Sequence, residues 1–195
     1  SLGASLSFTE MVRSSSFERE NRSTLALVDT FDAQTVTGVQ FLTKGPEELE
    51  RTLKKFFELR ENPVYAHFRN VKAIDLNFGC PNPDLIAKGL GPAMVKRTAK
   101  MEALFSTFAK TVRGYDDAIA VGAKIRLGLN QREKEYKVAA RLAPAANEYL
   151  DFFTVHAKHA GQRGSEPADW RELAELRDRM TLPFIGNGGA LDAAD

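Results

Sequence analysis

The chain alternates between short apolar segments and longer amphipathic ones along almost its whole length. Strands are predicted at Ser5–Thr9, Thr37–Leu42, Ala73–Asn77, Ala120–Arg126, Leu150–His156 and Leu182–Gly186, with a weaker extended stretch at Thr24–Val28. Helices are predicted at Pro46–Leu59, Pro92–Val112 with a break near Thr98, Glu133–Asn147, and Asp169–Met180 with Asp169 as N-cap, and another begins at Leu191. Because no obvious antiparallel hairpin interrupts this alternation, it predicts a parallel sheet covered by helices.

Composition limits the classes of protein to which the chain can belong. Its 195 residues, 43% hydrophobic and 27% charged, predict one globular domain spanning residues 1–195. A single cysteine excludes an intrachain disulfide framework and is typical of a reducing compartment, so we expect a cytoplasmic protein. The net charge of +1 does not indicate a strongly basic nucleic-acid binder, and no apolar run of about 18 residues predicts a membrane span.

The position of polar residues favours one way of closing the predicted sheet. Polar side chains from five different segments stand at or just after predicted strand ends, namely Gln40, Asn77 with Cys80, Lys124, His156 and Asn187. In a (β/α)8 barrel such ends converge on one mouth, whereas an open doubly wound sheet concentrates its site at one switch point. No Gly-x-Gly-x-x-Gly motif follows a strand, so a dinucleotide-binding turn is not indicated. The pattern therefore predicts an α/β fold of the (β/α)8 barrel type.

The chain's only cysteine, Cys80, lies within the segment Asp75–Asp84. It follows a predicted buried strand and sits in a turn formed by Gly79, Pro81 and Pro83. A lone cysteine is most often a small buried hydrophobe. A thiol in a turn of fixed shape at a strand end is instead a candidate proton donor or nucleophile.

Eight stretches of the chain, taken together and in order, match a known family. They are Phe8–Val12, Gly38–Phe41, Asp75–Pro81, Lys88–Ala93, Lys124–Gly128, Thr154–Lys158, Ala168–Trp170 and Ile185–Gly188. On these stretches the chain resembles the tRNA-dihydrouridine synthases, which are FMN-dependent (β/α)8 barrels. The resemblance implies reduction of uridine to 5,6-dihydrouridine in tRNA, with hydride from reduced FMN and NADPH as electron donor.

The resemblance also implies roles for residues that would meet the substrate. Cys80 occupies the position of the general acid, and thiols are mostly protonated at neutral pH, so it can donate a proton to the pyrimidine. Asn77 matches a residue that hydrogen-bonds the uracil, since an amide offers both a donor and an acceptor. Arg126 and Lys158 are expected to contact RNA, on a rim that also carries His159 and Arg163. Lys158 stands where the family usually has arginine, and lysine lacks the planar fork of a guanidinium.

A second group of residues is implied to hold the flavin. Lys124 matches the lysine beside the flavin ring, Gln40 a glutamine that bonds the ring, and His156 a flavin-contacting histidine. Asn187, Gly188 and Gly189 suit a phosphate cradle built from backbone N–H groups. No metal is implied. Each residue also has a purely structural interpretation. Gln40 would be a polar residue satisfied by neighbouring backbone, and Lys124 a lysine extending from a strand end. His156 would be a core histidine, and Asn187 to Gly189 a simple strand-to-helix turn.

Compared with the family, the sequence matches about strands 2 to 7 of the barrel. We therefore expect an incomplete barrel that binds flavin weakly by itself. One alternative is a dihydroorotate dehydrogenase-like FMN enzyme, which shares the barrel and a Cys-Pro-Asn turn resembling Cys80–Asn82. The other is a non-catalytic barrel fragment that serves as a binding or assembly module.

Overall fold

A computed structural model describes residues 6–28 and 36–189 of the chain. Within these residues the strands are β1 (Leu6–Arg13), β2 (Val36–Leu42), β3 (Val71–Phe78), β4 (Ala120–Arg126), β5 (Phe152–His156) and β6 (Phe184–Asn187). The α-helices are α1 (Ser14–Glu18), α2 (Arg22–Ala26), α3 (Pro46–Glu61), α4 (Pro83–Ala87), α5 (Thr98–Tyr115), α6 (Gln131–Glu135), α7 (Ala143–Tyr149) and α8 (Trp170–Arg177). Short 3₁₀ helices occupy Pro63–Asn70, Gly91–Met94 and Ala140–Leu142.

The strands form one sheet in chain order, from β1 to β6. The pairs β1–β2, β2–β3 and β5–β6 are parallel. Parallel neighbours joined through helices are the pattern of a (β/α)8-type fold, which confirms the predicted fold class. Strands β1 and β6 stand at the two ends of the order, so the barrel is not closed over the described strands.

The chain divides into two compact units. The first unit contains the described residues 6–28, 36–77 and 106–122, and the second contains 78–105 and 123–189. A single domain over residues 1–195 stays a prediction. Among the described residues no helix combines the length and apolar character needed to cross a membrane.

Four phenylalanines from different elements form the centre of the first unit. Phe17, Phe41, Phe56 and Phe68 are completely buried. The ring centroids of Phe17 and Phe41 are 5.2 Å apart in an edge-to-face arrangement, and those of Phe56 and Phe68 are 5.6 Å apart and stacked. Each such pair adds about 0.5–1.5 kcal/mol beyond the burial of its area, so these rings tie α1, β2 and α3 into one core.

A bulge sets the register of the first two strands. Phe8 pairs with Gly38 and Met11 with Gln40, so two residues of β1 face a single residue of β2. The hydroxyl oxygen of Thr9, in the bulge, accepts a 3.1 Å hydrogen bond from the Gln40 backbone N–H. Gly38 lacks the Cβ atom that would lie 2.3 Å from the Phe8 ring, which allows the ring to cross β2 closely.

The second unit has its own apolar core and a well-defined helix start. Phe105 and Phe153 are fully buried, with ring centroids 6.4 Å apart in an edge-to-face pair. The side chain of Asp169 accepts a 2.9 Å hydrogen bond from the Glu172 backbone N–H, which confirms Asp169 as the N-cap of α8. This cap fixes where the chain enters the helix before β6.

Two predicted elements are wrong in the structure. Thr24–Val28 is not extended, because Asn21 caps α2 by accepting the Thr24 backbone N–H and so starts a short helix. The helix predicted over Glu133–Asn147 is divided into α6, a 3₁₀ turn and α7, because Lys137 adopts a left-handed φ of 53°. The helix predicted from Leu191 and the first residue of the strand at Ser5–Thr9 lie outside the described residues.

Candidate active site

Cys80 lies in a short loop of the second unit between β3 and α4. Asn82 caps α4 by accepting a 2.8 Å hydrogen bond from the Asp84 backbone N–H, and Pro83 occupies the first helical position. These local signals end the loop two residues after the cysteine. Cys80 is half-buried.

Two neighbouring segments hold the Cys80 loop. The Arg126 Nε–H, at the end of β4, donates a 2.7 Å hydrogen bond to the Gly79 carbonyl oxygen. On another side, a Cβ atom at Gly91 would lie 3.3 Å from the Cys80 carbonyl oxygen, and Gly91 has a φ of 58° that side chains rarely adopt. The loop is thus fastened by a side chain and closely packed against a glycine.

Arg126 also interacts with Cys80 electrostatically. Burial lowers the pKa of the Arg126 guanidinium, and its charge interaction with Cys80 opposes that shift. A cation beside a sulfur attracts a negative charge on that sulfur. Arg126 can therefore stabilise the negative charge that remains after Cys80 gives up its proton.

His156 stands at the end of β5 and is neutral at physiological pH. The pKa of His156 is lowered from 6.5 to about 4, chiefly because burial desolvates the imidazole and also because Arg126, Lys124 and Lys158 are positively charged. We call Lys124, Arg126, Lys158 and His156 the cationic cluster. Its three charges around an uncharged imidazole make the region favourable for an anion.

Asn187, the last residue of β6, and Gly188, which follows it, lie beside the cationic cluster. His156 pairs with Asn187 in the β5–β6 register, and the Lys124 Nζ donates a 3.2 Å hydrogen bond to the Asn187 Oδ1. Gly188 has a φ of 134°, and a Cβ atom there would lie 3.0 Å from the His156 Cδ2. The structure thus brings together four of the residues predicted to hold the flavin.

Other predicted residues of the second unit are placed less centrally. Gly189 has a φ of 85°, and a Cβ atom there would meet none of the described residues within 4 Å. The Lys158 side chain is only 6% exposed, and its Nζ donates a 2.8 Å hydrogen bond to the Gly164 carbonyl oxygen. The His159 Nδ1 accepts from the Gly161 backbone N–H, and Arg163 is exposed. Lys158 therefore orders its own loop, a contact that the sequence did not indicate.

In the first unit, Gln40 and Asn77 hydrogen-bond each other directly, and Gln40 also bonds a third residue, Asp75, to which the sequence assigned no role. The Asn77 Nδ2 donates a 2.5 Å hydrogen bond to the Gln40 Oε1, and the Gln40 Nε2 donates a 2.5 Å hydrogen bond to the Asp75 Oδ2. We call Gln40, Asp75 and Asn77 the amide cluster. Gln40 and Asp75 are register partners in β2 and β3, while Asp75 and Asn77 are two apart and share one face of β3. The signal for Asp75 was its acidic side chain inside an apolar strand.

The residues of the cationic cluster fit an anionic cofactor with a phosphate group. Lys124 and Arg126 supply positive charge. The glycine backbone at Gly188 and Gly189 has left-handed conformations without side chains, which lets a ligand approach N–H groups closely. An uncharged His156 adds a hydrogen-bonding group without a further charge. This arrangement is compatible with FMN.

Comparison with known proteins identifies the family. Residues 1–195 match the family described as dihydrouridine synthase. The chain is 34% identical over 160 residues to "Probable tRNA-dihydrouridine synthase" of Mycobacterium tuberculosis, covering 78% of this chain and 40% of that protein. It is 26% identical over 189 residues to the protein of that name in Treponema pallidum, covering 95% and 52%. It is 30% identical over 136 residues to tRNA-dihydrouridine(16) synthase of Salmonella typhimurium, covering 69% and 41%.

The chain spans about half or less of the length of these relatives. The match favours the tRNA-dihydrouridine synthases over the dihydroorotate dehydrogenase-like alternative. The chain belongs to the dihydrouridine synthase family.

Proposed function

We propose that this protein reduces uridine to 5,6-dihydrouridine in tRNA, with Cys80 as the proton donor. Family membership supports the reaction. The observation that carries the role of Cys80 is its placement: the only cysteine of the chain is half-buried in a loop that Arg126 fastens through the Gly79 carbonyl. A general acid needs this combination of access and fixed position.

The reduction adds a hydride and a proton across the 5,6 double bond of uracil. The Cys80 S–H bond breaks and a C–H bond forms at one carbon, while the hydride forms the C–H bond at the other. The sulfur retains the electron pair of its broken bond as a thiolate. Arg126 stabilises that thiolate by its charge, and a proton from solvent restores the thiol before the next turnover.

FMN, the cofactor of this family, would supply the hydride when bound in reduced form, with NADPH as the source of its electrons. Lys124 would place positive charge beside the flavin ring, held in position by its hydrogen bond to Asn187. Gly188 and Gly189 would offer backbone N–H groups to the phosphate, and His156 would contact the cofactor in its neutral form. Gln40 would bond the ring through its side-chain amide.

The substrate would be recognised by amide and cationic groups. We propose that Asn77 hydrogen-bonds the uracil and that Arg126 and Lys158 favour RNA phosphates through their charge. Lys158 is bonded to the Gly164 carbonyl, which supports an electrostatic contribution rather than a direct fork-shaped contact. A tRNA substrate is consistent with a cytoplasmic location.

Cys80→Ala tests the proton-donor role. The variant and the wild type are incubated with FMN, NADPH and tRNA lacking dihydrouridine, and dihydrouridine is counted by mass spectrometry of nucleosides. General acid catalysis contributes roughly 10²–10⁴-fold, so we expect a loss of that size with flavin binding unchanged. An Ala variant with wild-type rate would remove Cys80 from the mechanism. A wild type that binds FMN but reduces no uridine in any tRNA would favour the non-catalytic alternative.

A further inference from the structure

We propose that Asp75 is a positioning residue, which fixes the direction of the side-chain amides of Gln40 and Asn77 and thereby the hydrogen-bonding pattern offered to the pyrimidine. The part about the pyrimidine rests on the proposed function. The part about the amides rests only on contacts within the first unit. No role for Asp75 follows from the sequence motifs, where it is one acidic residue in a buried strand.

The geometry places Asp75 at the end of a two-step chain of hydrogen bonds. The Asp75 Oδ2 accepts from the Gln40 Nε2, and the Gln40 Oε1 accepts from the Asn77 Nδ2. A carboxylate oxygen attracts the NH₂ end of an amide and repels its carbonyl end. Asp75 therefore decides which end of the Gln40 amide faces it, and the opposite end must face Asn77.

The same logic passes from Gln40 to Asn77. Because the Gln40 carbonyl oxygen faces Asn77, the Asn77 amide must direct its NH₂ group toward Gln40. The order of donor and acceptor along the Asn77 amide is then fixed. Without this constraint an amide can rotate by about 180°, which exchanges its donor and acceptor at little cost in shape.

Burial makes the constraint strong. The Asp75 side chain is only 2% exposed and Asn77 only 9% exposed, so water competes weakly for these hydrogen bonds. A second contact holds the middle of the chain, because the Gln40 backbone N–H is bonded to the Thr9 hydroxyl. Gln40 is thus fixed at both its backbone and its side chain.

A fixed amide has a consequence for base recognition. The pairing edge of uracil presents an acceptor, a donor and an acceptor in that order. An amide with one donor and one acceptor matches two adjacent groups of that edge, and reversing the amide shifts the base by one group. A shift of this kind moves the 5,6 double bond relative to the groups that react with it, and a misplacement of about 1 Å can reduce a rate about 10²-fold.

Side-chain NMR on the ¹⁵N-labelled protein tests the positioning directly. We expect the NH₂ protons of Gln40 and Asn77 to exchange with water at least tenfold more slowly than those of Gln131. Gln131 is a matched internal reference, since its Nε2 also donates to a carboxylate, Glu135, at 2.9 Å but on the exposed surface. Rapid exchange of the Gln40 NH₂ protons in the wild type would overturn the proposal.

Asp75→Asn is the central variant and Glu135→Gln is its matched control. Each replaces a carboxylate bonded to a glutamine by an amide. Asp75→Asn should accelerate exchange at both Gln40 and Asn77 and shift their resonances, whereas Glu135→Gln should change only Gln131. A folded Asp75→Asn protein with wild-type Gln40 and Asn77 signals would overturn the proposal. If Asp75→Asn does not fold, Gln40→Met removes the middle amide at similar volume, and unchanged Asn77 signals in it would have the same meaning.

An activity measurement separates this proposal from the proposed function. With tRNA as substrate, Asp75→Asn should reduce kcat/KM for uridine reduction at least tenfold, while Glu135→Gln leaves it unchanged. Altered amide signals with an unchanged kcat/KM would overturn the substrate part. Altered amide signals in a protein whose wild type reduces no uridine would contradict the proposed function and still support the positioning by Asp75.

Discussion

The amide cluster of the first unit is held together by hydrogen bonds among its own side chains, whereas the cationic cluster of the second unit consists mainly of positively charged side chains. Gln40, Asp75 and Asn77 lie on two neighbouring strands and bond one another. Lys124, Arg126 and Lys158 instead bond to an amide oxygen or to backbone carbonyls, and they act on His156 through charge. The first cluster therefore presents a fixed hydrogen-bond pattern, whereas the second presents positive charge.

The largest loss of stability is expected from a substitution at Gly188, because its backbone lies against His156 of the cationic cluster. Gly188→Ala places a Cβ atom 3.0 Å from the His156 Cδ2 at a φ of 134°. Strain and close contact together should reduce the free energy of unfolding by about 2–3 kcal/mol, measured by urea denaturation. Gly189→Ala is the matched control, because its φ is also positive but its Cβ atom would meet no described residue within 4 Å, and it should cost about 1 kcal/mol. Equal losses in the two variants would show that contact with His156 is unimportant.

The second effect is a dependence of the free energy of unfolding on pH. The unfolded His156 binds a proton near pH 6.5, whereas the folded residue does so only near 4. Between these values the unfolded state holds more protons, so stability falls as pH decreases from about 6.5 to 4. Because the imidazole is half-buried and screened by solvent, we expect a loss of about 1–2 kcal/mol rather than the full conversion of the shift.

Urea denaturation at several pH values measures this loss. In His156→Gln the part of the pH dependence between pH 6.5 and 4 that comes from residue 156 should disappear. NMR titration of His156 should give the low value directly. A titration near pH 6.5 would mean that the three cations and burial do not act on the imidazole as the structure indicates.

The two clusters are expected to differ in how they affect the salt dependence of FMN binding. Lys124→Gln should weaken FMN binding about five- to tenfold and reduce the dependence of Kd on salt, because one charge near the anion is lost. Asn77→Ala should leave that salt dependence unchanged. Fluorescence titration of FMN at 50 and 300 mM salt measures both. An equal salt dependence of Kd in Lys124→Gln and the wild type would contradict the expectation that the charge of Lys124 contributes to FMN binding.

The same titrations test the expected weakness of flavin binding. We expect the chain of residues 1–195 to bind FMN weakly by itself. A tight, stoichiometric titration would contradict that expectation.

The smallest effect concerns the thiol. As the only cysteine, Cys80 alone reports in an alkylation assay. Arg126→Met should slow its reaction with iodoacetamide at neutral pH about two- to fivefold, because a neighbouring cation stabilises the reactive thiolate. Arg126→Lys retains the charge and should restore most of the rate. Faster alkylation in Arg126→Met would show that the hydrogen bond to Gly79 limits access more than the charge promotes reaction.

Much of the fold could be predicted from the sequence because its signals are local. Pro46 at the first helical position and the acidic residues behind it predicted the start of α3 correctly. The extended stretch at Thr24–Val28 was wrong because a single capping side chain, Asn21, decided the conformation. The long helix after Glu133 was wrong because the left-handed φ of Lys137 has no clear signal in the sequence.

The site was predictable to the extent that strand ends carry polar residues. Gln40 with Asn77, and Lys124 with Asn187, were named from their positions and are in contact. Asp75 was not assigned, because its contact with Gln40 follows only from the register that places the two residues opposite each other. The bond from Lys158 to Gly164 was also not predictable, since it depends on the path of the loop that follows β5.

The bulge in β1 has a consequence for how the strand can vary. An extra residue between Phe8 and Met11 is taken up at one point, and pairing resumes in step from Met11 onward. A change of length at Glu10 can therefore be absorbed locally, provided that Thr9 keeps its hydrogen bond to the Gln40 backbone N–H. Strand β1 can therefore vary in length next to Thr9, the residue that binds the backbone of Gln40.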